Sequence, residues 1–475
     1  VIGRNISQGH GITFSRVMGT NGFQPLWQAV VALTLTLTRA VGLTSPVSEA
    51  RSVLVVGWVL LGLAVWRLDV LLRRLKVPPA GCALACLGVV LYLGGPLGTP
   101  GSEANLVVLL VVLATSATVR LVTSATPGPV DAVRCGALLG LMVLGRLDTG
   151  FVAVAALGAI ALGGRAPRAA RWRSAVIAGA TSAVVVLPYL VWNQARFGHV
   201  LPIAGAIKLD TCKLWFTPLS IGSTGWALFA LIVVLAAIAL IGRRPTRAEA
   251  AAFLVPLAGG LTSSAIYFAW SPGRFTDLDW YRMPQLVAAA VLAGLAIGRV
   301  AAWQPRLVTV GAPVLVALLI PPLVLVVVDR RLHGPNRDFW HPVARFSERM
   351  DALVPDDGVV ATVDYPGVIA SYSGRRVVAL DGLTGDYDFQ DQLRDQGGSC
   401  ALADRGVRWL VVDNSDRLIP VGSGDPPRAY EVGLASWLHH VGAGRLRLDR
   451  ATDLVYDDPA SDLSLWRIHP ACEGG

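Results

Sequence analysis

Stretches of about 20 apolar residues recur along the 475-residue chain, each long enough as a helix to cross roughly 30 Å of hydrocarbon. Such windows fall at 51–72, 78–97, 104–123, 174–192, 222–241, 249–270, 284–303 and 307–328. A longer run, 133–163, exceeds one span and is interrupted by Arg146-Leu147-Asp148, so it reads as two short spans joined by a tight turn. The pattern predicts an α-helical polytopic membrane protein with about ten spans. Segment 24–43 is apolar enough to span but would invert the parity. Its Leu-Thr alternation, with Pro25 and Trp27 at its start, favours a helix lying in the outer interface over a true span.

After Arg330 the period changes. Residues 358–363, 376–380 and 407–412 read as buried strands, with helices at 342–353, 366–372 and 388–405 between them. Alternation of this kind predicts a small α/β domain with a largely parallel sheet. The chain therefore divides into a first outer loop with an interfacial helix (1–50), a transmembrane domain (51–330) and a soluble α/β domain (331–475). No glycine-rich phosphate loop follows a strand, so nucleotide binding has no support.

Charge sharpens this division. Charged residues make up only 15% of the chain, which disfavours a water-soluble enzyme. The formal net charge of +9 hides two opposite halves: residues 331–475 hold 15 Arg, no Lys and 22 acidic residues, whereas the first 330 hold 26 basic and 10 acidic ones. The basicity thus belongs to membrane-flanking loops and is no signal for nucleic acid. With the ten spans, the clusters at 73–76, 165–173, 243–247 and 299–306 all fall on one side, which the positive-inside rule assigns to the cytoplasm. The acidic domain is then extracytoplasmic, together with 1–50, 101–103, the 146–148 turn, 193–221 and 271–283.

Candidate chemistry follows from which polar residues share that outer side. Among the first 330 residues, Glu49, Asp69, Asp131 and Glu249 lie at span ends where water can solvate them. Glu103, Asp148, Asp210, Asp277, Asp279 and Asp329 form the outer set. Arg146 and Asp148 lie inside an apolar run, where an uncompensated charge costs at least about 2.5–3.5 kcal/mol. Either a hairpin turn reaches the headgroups there, or the pair lines a membrane-embedded cavity. Lys208 and Lys213, two of only three lysines, sit on the side where lysine is disfavoured, and suit a headgroup anchor or a bound lipid phosphate. Asp279, Tyr281 and Arg282 mix a carboxylate, an aromatic ring and a guanidinium beside the membrane, as an interface belt or a sugar site would. His10, Asn21, Gln24, Asp381 and Asp386 are isolated polar candidates, and Asn21-Gly22 is in itself an ordinary turn signal. A Cys400–Cys472 disulfide is expected if the acidic domain is exported, while Cys82, Cys86 and Cys135 read as packing residues. No cysteine spacing resembles a zinc site.

Arg4-Asn5-Ile6, 9–14 (Gly-His-Gly-Ile-Thr-Phe) and 20–27 (Thr-Asn-Gly-Phe-Gln-Pro-Leu-Trp) resemble the first outer loop of bacterial GT-C glycosyltransferases, polytopic enzymes similar to protein mannosyltransferases and actinobacterial arabinofuranosyltransferases. Arg146-Leu147-Asp148, Pro188 to Asn193, Gly198-His199, Leu201-Pro202, Lys208 and Leu380 to Leu383 fit the same group. The resemblance implies transfer of a hexosyl or pentosyl group from a polyprenyl-phosphate sugar to a glycan or lipid acceptor of the cell envelope, on the outer face of the cytoplasmic membrane. Together with the residue reading above, it gives expected substrate contacts at Arg4, His10, Asn21, Gln24, Arg146, Asp148, Lys208, Asp279, Tyr281 and Arg282. It also implies a first-loop aspartate as general base, which would precede Val1; on that expectation the chain as given is an inactive fragment. It fixes no cofactor, and a divalent metal is compatible with it. A transporter or a non-catalytic envelope scaffold is the alternative. A transporter would show internal repeats, and none is visible.

Overall fold

The computed structural model describes residues 1–94, 101–209, 222–270, 279–306, 335–395, 398–421, 427–433 and 445–472. Within these, the apolar windows are helices: α3 (Pro46–Arg74), α4 (Pro79–Gly94), α5 (Ala104–Thr123), α6 (Pro129–Gly145), α7 (Gly150–Gly163), α8 (Arg168–Phe197), α10 (Gly222–Leu240), α11 (Arg247–Trp270) and α12 (Met283–Trp303). Shorter helices α1 (Ile2–Ser7), α2 (Pro25–Ala40) and α9 (Ile203–Leu209) lie in the segments between. Five of the described helices, those starting at Pro46, Ala104, Arg168, Arg247 and Met283, are long and apolar enough to cross a membrane. The expected span 307–328 lies outside the described residues, as do Asp210, Cys212, Lys213, Asp277 and Asp329.

Segment 24–43 is helical from Pro25, which needs no N–H donor at a helix start. One of its faces buries Trp27, Ala32 and Leu35, and the opposite side exposes Leu33 and Leu37. The run 133–163 breaks where charge interrupts it. Arg146 takes an extended backbone conformation, and Leu147–Thr149 form a single 3-10 turn that leads into α7. Small residues let these short helices pack closely: a Cβ on Gly136 or Gly140 of α6 would meet α8 at 2.3 Å (Ala178 O) or 2.6 Å (Val185 Cβ).

The C-terminal unit has a five-stranded sheet of order β2-β1-β3-β8-β7, where β1 is Val359–Thr362, β2 Arg376–Ala379, β3 Val407–Asp413, β7 Leu454–Asp458 and β8 Leu463–Arg467. The three expected strands are the parallel part, β2-β1-β3. The sheet is mixed rather than largely parallel, because β8 and β7 add antiparallel strands on the other flank. A second antiparallel sheet holds β4 (Leu418–Val421), β5 (Ala429–Gly433) and β6 (Arg445–Asp449). The helix expected at 388–405 is two, α15 (Tyr387–Asp395) and α16 (Gly398–Asp404); the other helices here are α13 (Pro335–Leu353), α14 (Pro366–Tyr372) and α17 (Asn414–Arg417). Cys400 and Cys472 form a disulfide, with Cα atoms 4.2 Å apart, that ties α16 to the segment after β8.

The first 23 residues pack against this unit as well as against the helices. Ile2 and Phe14 join the core that contains Phe346, Met350 and Trp409, and Val17 and Met18 pack on the one around Phe389 and Trp466. Glu49 corrects the expectation of a solvated carboxylate: it is 2% exposed and is held between Arg4 and Arg39, and Arg4 also donates to the Ser371 carbonyl at 3.0 Å. Glu249 is buried too, accepting from Arg243 at 2.9 and 3.0 Å.

Candidate functional site

A cavity of about 580 Å³ opens where the first segment, the helix bundle and the C-terminal unit meet. One wall is Gly22, Phe23, Gln24, Trp27 and Gln28, from the approach to α2 and its first turns. The others come from the start of α5, the α6–α7 turn, α9, α11, Tyr281, and Leu383-Thr384 of the C-terminal unit.

Its charged centre is Arg146. The Nε donates to both carboxylate oxygens of Asp148, at 2.8 and 3.0 Å, and Nη1 donates to Glu103 Oε1 at 3.3 Å. Residues i and i+2 on a helix point apart, but the 3-10 turn folds Asp148 back onto Arg146. Thr149 fixes that turn, its hydroxyl donating to the carbonyls of Met142 (2.9 Å) and Arg146 (2.7 Å). The guanidinium lies 4.1 Å from the centroid of the Tyr281 ring, which meets Tyr267 edge-on at 4.8 Å. The 14 residues of α7 rise only about 21 Å, short of roughly 30 Å of hydrocarbon. The pair forms a turn, and that turn lines the cavity.

Of the expected site residues, the structure brings Gln24, Arg146, Asp148 and Tyr281 to this cavity. Arg4, His10, Asn21 and Arg282 are not in its lining. Arg4 joins α1 to Glu49 and Ser371, His10 is exposed, and Arg282 is buried. Asn21 is fully buried, and its Oδ1 accepts from the Ile203 N–H at 3.0 Å. Gly22 is more than a turn residue, because a Cβ there would lie 1.8 Å from the Leu383 carbonyl oxygen. Lys208 lies in α9 and Asp279 in a 3-10 turn, but their side chains lie outside the described residues. Glu103, Gln28 and Tyr267 are cavity residues that sequence reasoning did not single out; Glu103 was visible only as one of six outer acids.

Beside the cavity, Tyr387 ties the C-terminal unit to Leu201, one of the lining residues. Its hydroxyl donates to the Leu201 carbonyl at 2.7 Å, and its ring stacks on His199 with centroids 3.7 Å apart. Burial, with the nearby Tyr189, pushes the Tyr387 phenol up to about 12, so it remains a neutral donor at ordinary pH. Burial also raises the neighbouring Asp386 carboxyl, against the opposing Phe389 N–H and Arg405.

Among the described residues, the candidate metal donors have other partners. Glu103 and Asp148 already share the Arg146 guanidinium, and the grouping of Cys400, Asp404 and Cys472 has both sulfurs in the disulfide.

Neither a protein-family model nor a curated protein sequence matches the chain. Solved structures do. The archaeal oligosaccharyltransferase AglB from Archaeoglobus fulgidus, in complex with an inhibitory peptide and a dolichol-phosphate, aligns over 87% of this chain with a TM-score of 0.54 and 14% identity. ArnT from Cupriavidus metallidurans bound to undecaprenyl phosphate aligns over 89% with a TM-score of 0.50 and 16% identity. The fold is that of the GT-C membrane glycosyltransferases. The chain spans 64% of the length of AglB and 90% of that of ArnT.

Proposed function

We propose that this GT-C-fold protein transfers a hexosyl or pentosyl group from a polyprenyl-phosphate sugar to a glycan or lipid acceptor of the cell envelope, on the outer face of the cytoplasmic membrane. One observation carries the reading: a cavity in which a buried guanidinium, two carboxylates and two aromatic rings converge where the helices meet an α/β unit. The chemistry of these groups suits a sugar. Hydroxyls can donate to Glu103 and Asp148 and accept from the amides of Gln24 and Gln28, while the ring faces cover apolar C–H surface. The likeness to enzymes solved with dolichol-phosphate and undecaprenyl phosphate supports a lipid-phosphate donor.

The charged trio carries one positive and two negative groups, so by itself it does not attract a phosphate. That role falls to Lys208. Ala204 and Gly205 line the cavity, and position 208 follows them by four and three residues, on the same side of α9. A cation there offsets charge on the departing lipid phosphate. A carboxylate must take the acceptor's proton as the anomeric bond forms. Glu103 and Asp148 are tied to Arg146, which suits holding the sugar; the base is then the first-loop carboxylate that the resemblance implies ahead of Arg4. The α/β unit is proposed to face outside, over the cavity, and to contact the acceptor.

The test is transfer of label from polyprenyl-phosphate sugars to envelope glycans by the natural full-length protein in membranes. Transfer above the level of membranes lacking the protein is expected, with Lys208→Ala lowering turnover by about 100-fold. Absence of transfer from every polyprenyl-phosphate sugar tried would reject the reading, and full turnover in Lys208→Ala would reject the role of that lysine.

A further inference from the structure

At the other end of the helices three basic turns converge. The α3–α4 turn brings Arg74 and Lys76, the α10–α11 turn Arg243, and the end of α12 Arg299. Between them is a second cavity of about 490 Å³, whose apolar lining includes Leu75, Val77 and Leu295. One carboxylate, Glu249, faces the four cations, and it is already engaged: besides Arg243, it accepts from the Thr246 N–H at 2.8 Å. Among the described residues Arg74 and Lys76 have no acidic partner. Arg299 donates to the Ile241 carbonyl at 3.1 Å and lies 4.8 Å from the Trp303 ring centroid, leaving its Nε buried without an acceptor.

Compensation of helix dipoles explains cations in the last turn of a helix. It does not explain Lys76, which lies beyond the end of α3 at φ +60°. There the Lys76 N–H donates to Arg73 O (3.0 Å) and the Val77 N–H to Leu72 O (3.1 Å), a closing turn whose left-handed position glycine fills without strain. A lysine stands where glycine would end the helix more easily, at the edge of a cavity with surplus positive charge.

We propose that this cavity binds a phosphate-bearing anion at headgroup level, with Lys76, Arg74 and Arg299 around the phosphate and the apolar lining against the carbon skeleton behind it. By the positive-inside rule this is the cytoplasmic leaflet. The site is separate from the Arg146 cavity and does not depend on the transfer reaction.

The test compares native mass spectrometry of the purified full-length protein, wild type against Lys76→Gly and Arg299→Gln. The protein is reconstituted in phosphatidylcholine with and without phosphatidylglycerol, and separately titrated with inorganic phosphate in detergent. Preferential retention of phosphatidylglycerol is expected, weakened about fivefold by each cation removed. Lys76→Gly should keep its thermal midpoint or raise it, so the loss would not come from unfolding. Phosphate binding that the variants weaken, without preference for the lipid, would assign the same site to a soluble phosphate. Absence of both, or retention unchanged in folded variants, would overturn the proposal.

Discussion

Arg146 shows what a residue can and cannot declare in a sequence. A charge inside a 31-residue apolar run is visible because it is costly there, and that cost pointed to the turn and to the cavity. Its second partner was hidden, because Glu103 lies 43 positions earlier and only the packing of α5 against α6 brings them together. Glu49 misled for the same reason: nothing local shows that Arg4 and Arg39 converge on it. Gly22 is a third case, a turn signal in sequence and a backbone contact in space. Gly22→Ala should force Leu383 away at a cost of about 1–3 kcal/mol, seen as faster proteolysis at the junction of the first segment with the C-terminal unit. Proteolysis at the wild-type rate would show that the contact is not needed.

At the scale of elements, apolar length located the described helices well, since a span must satisfy its own backbone and is therefore long and uniform. The C-terminal strands were half legible. The buried β1, β2 and β3 are runs rich in valine, whereas β4 and β7 hold no fully buried residue over only four and five residues and carry little signal. In place of the single helix expected at 388–405, one helix ends at Asp395 and another starts at Gly398. The α6–α7 turn is an element with a testable hinge. Thr149→Val removes the one hydroxyl donor that the Met142 and Arg146 carbonyls share and should cost about 1–3 kcal/mol, read as a lower thermal midpoint and a loosened Arg146. A midpoint equal to the wild type would show that the turn is held by packing alone.

For the whole molecule, charge asymmetry has a structural counterpart: three of the basic turns meet at one end, and the Arg146 cavity lies toward the other. The proposed outside placement of the α/β unit requires its Cys400–Cys472 disulfide to form in the membrane-bound protein. Cys400→Ser opens a closed loop with a sequence separation of 72 and should destabilise that unit by about 2–4 kcal/mol, measured by proteolysis of the membrane-bound protein. Recovery of wild-type protein from membranes with both thiols free would contradict the exterior placement. The central claim is that sugar transfer takes place in the cavity around Arg146. The most direct measurement is the transfer rate of full-length Arg146→Gln, confirmed as folded by its intact Cys400–Cys472 disulfide, with a labelled polyprenyl-phosphate sugar. The account predicts a fall of about 100-fold or more, while a folded variant that transfers at the wild-type rate would contradict it.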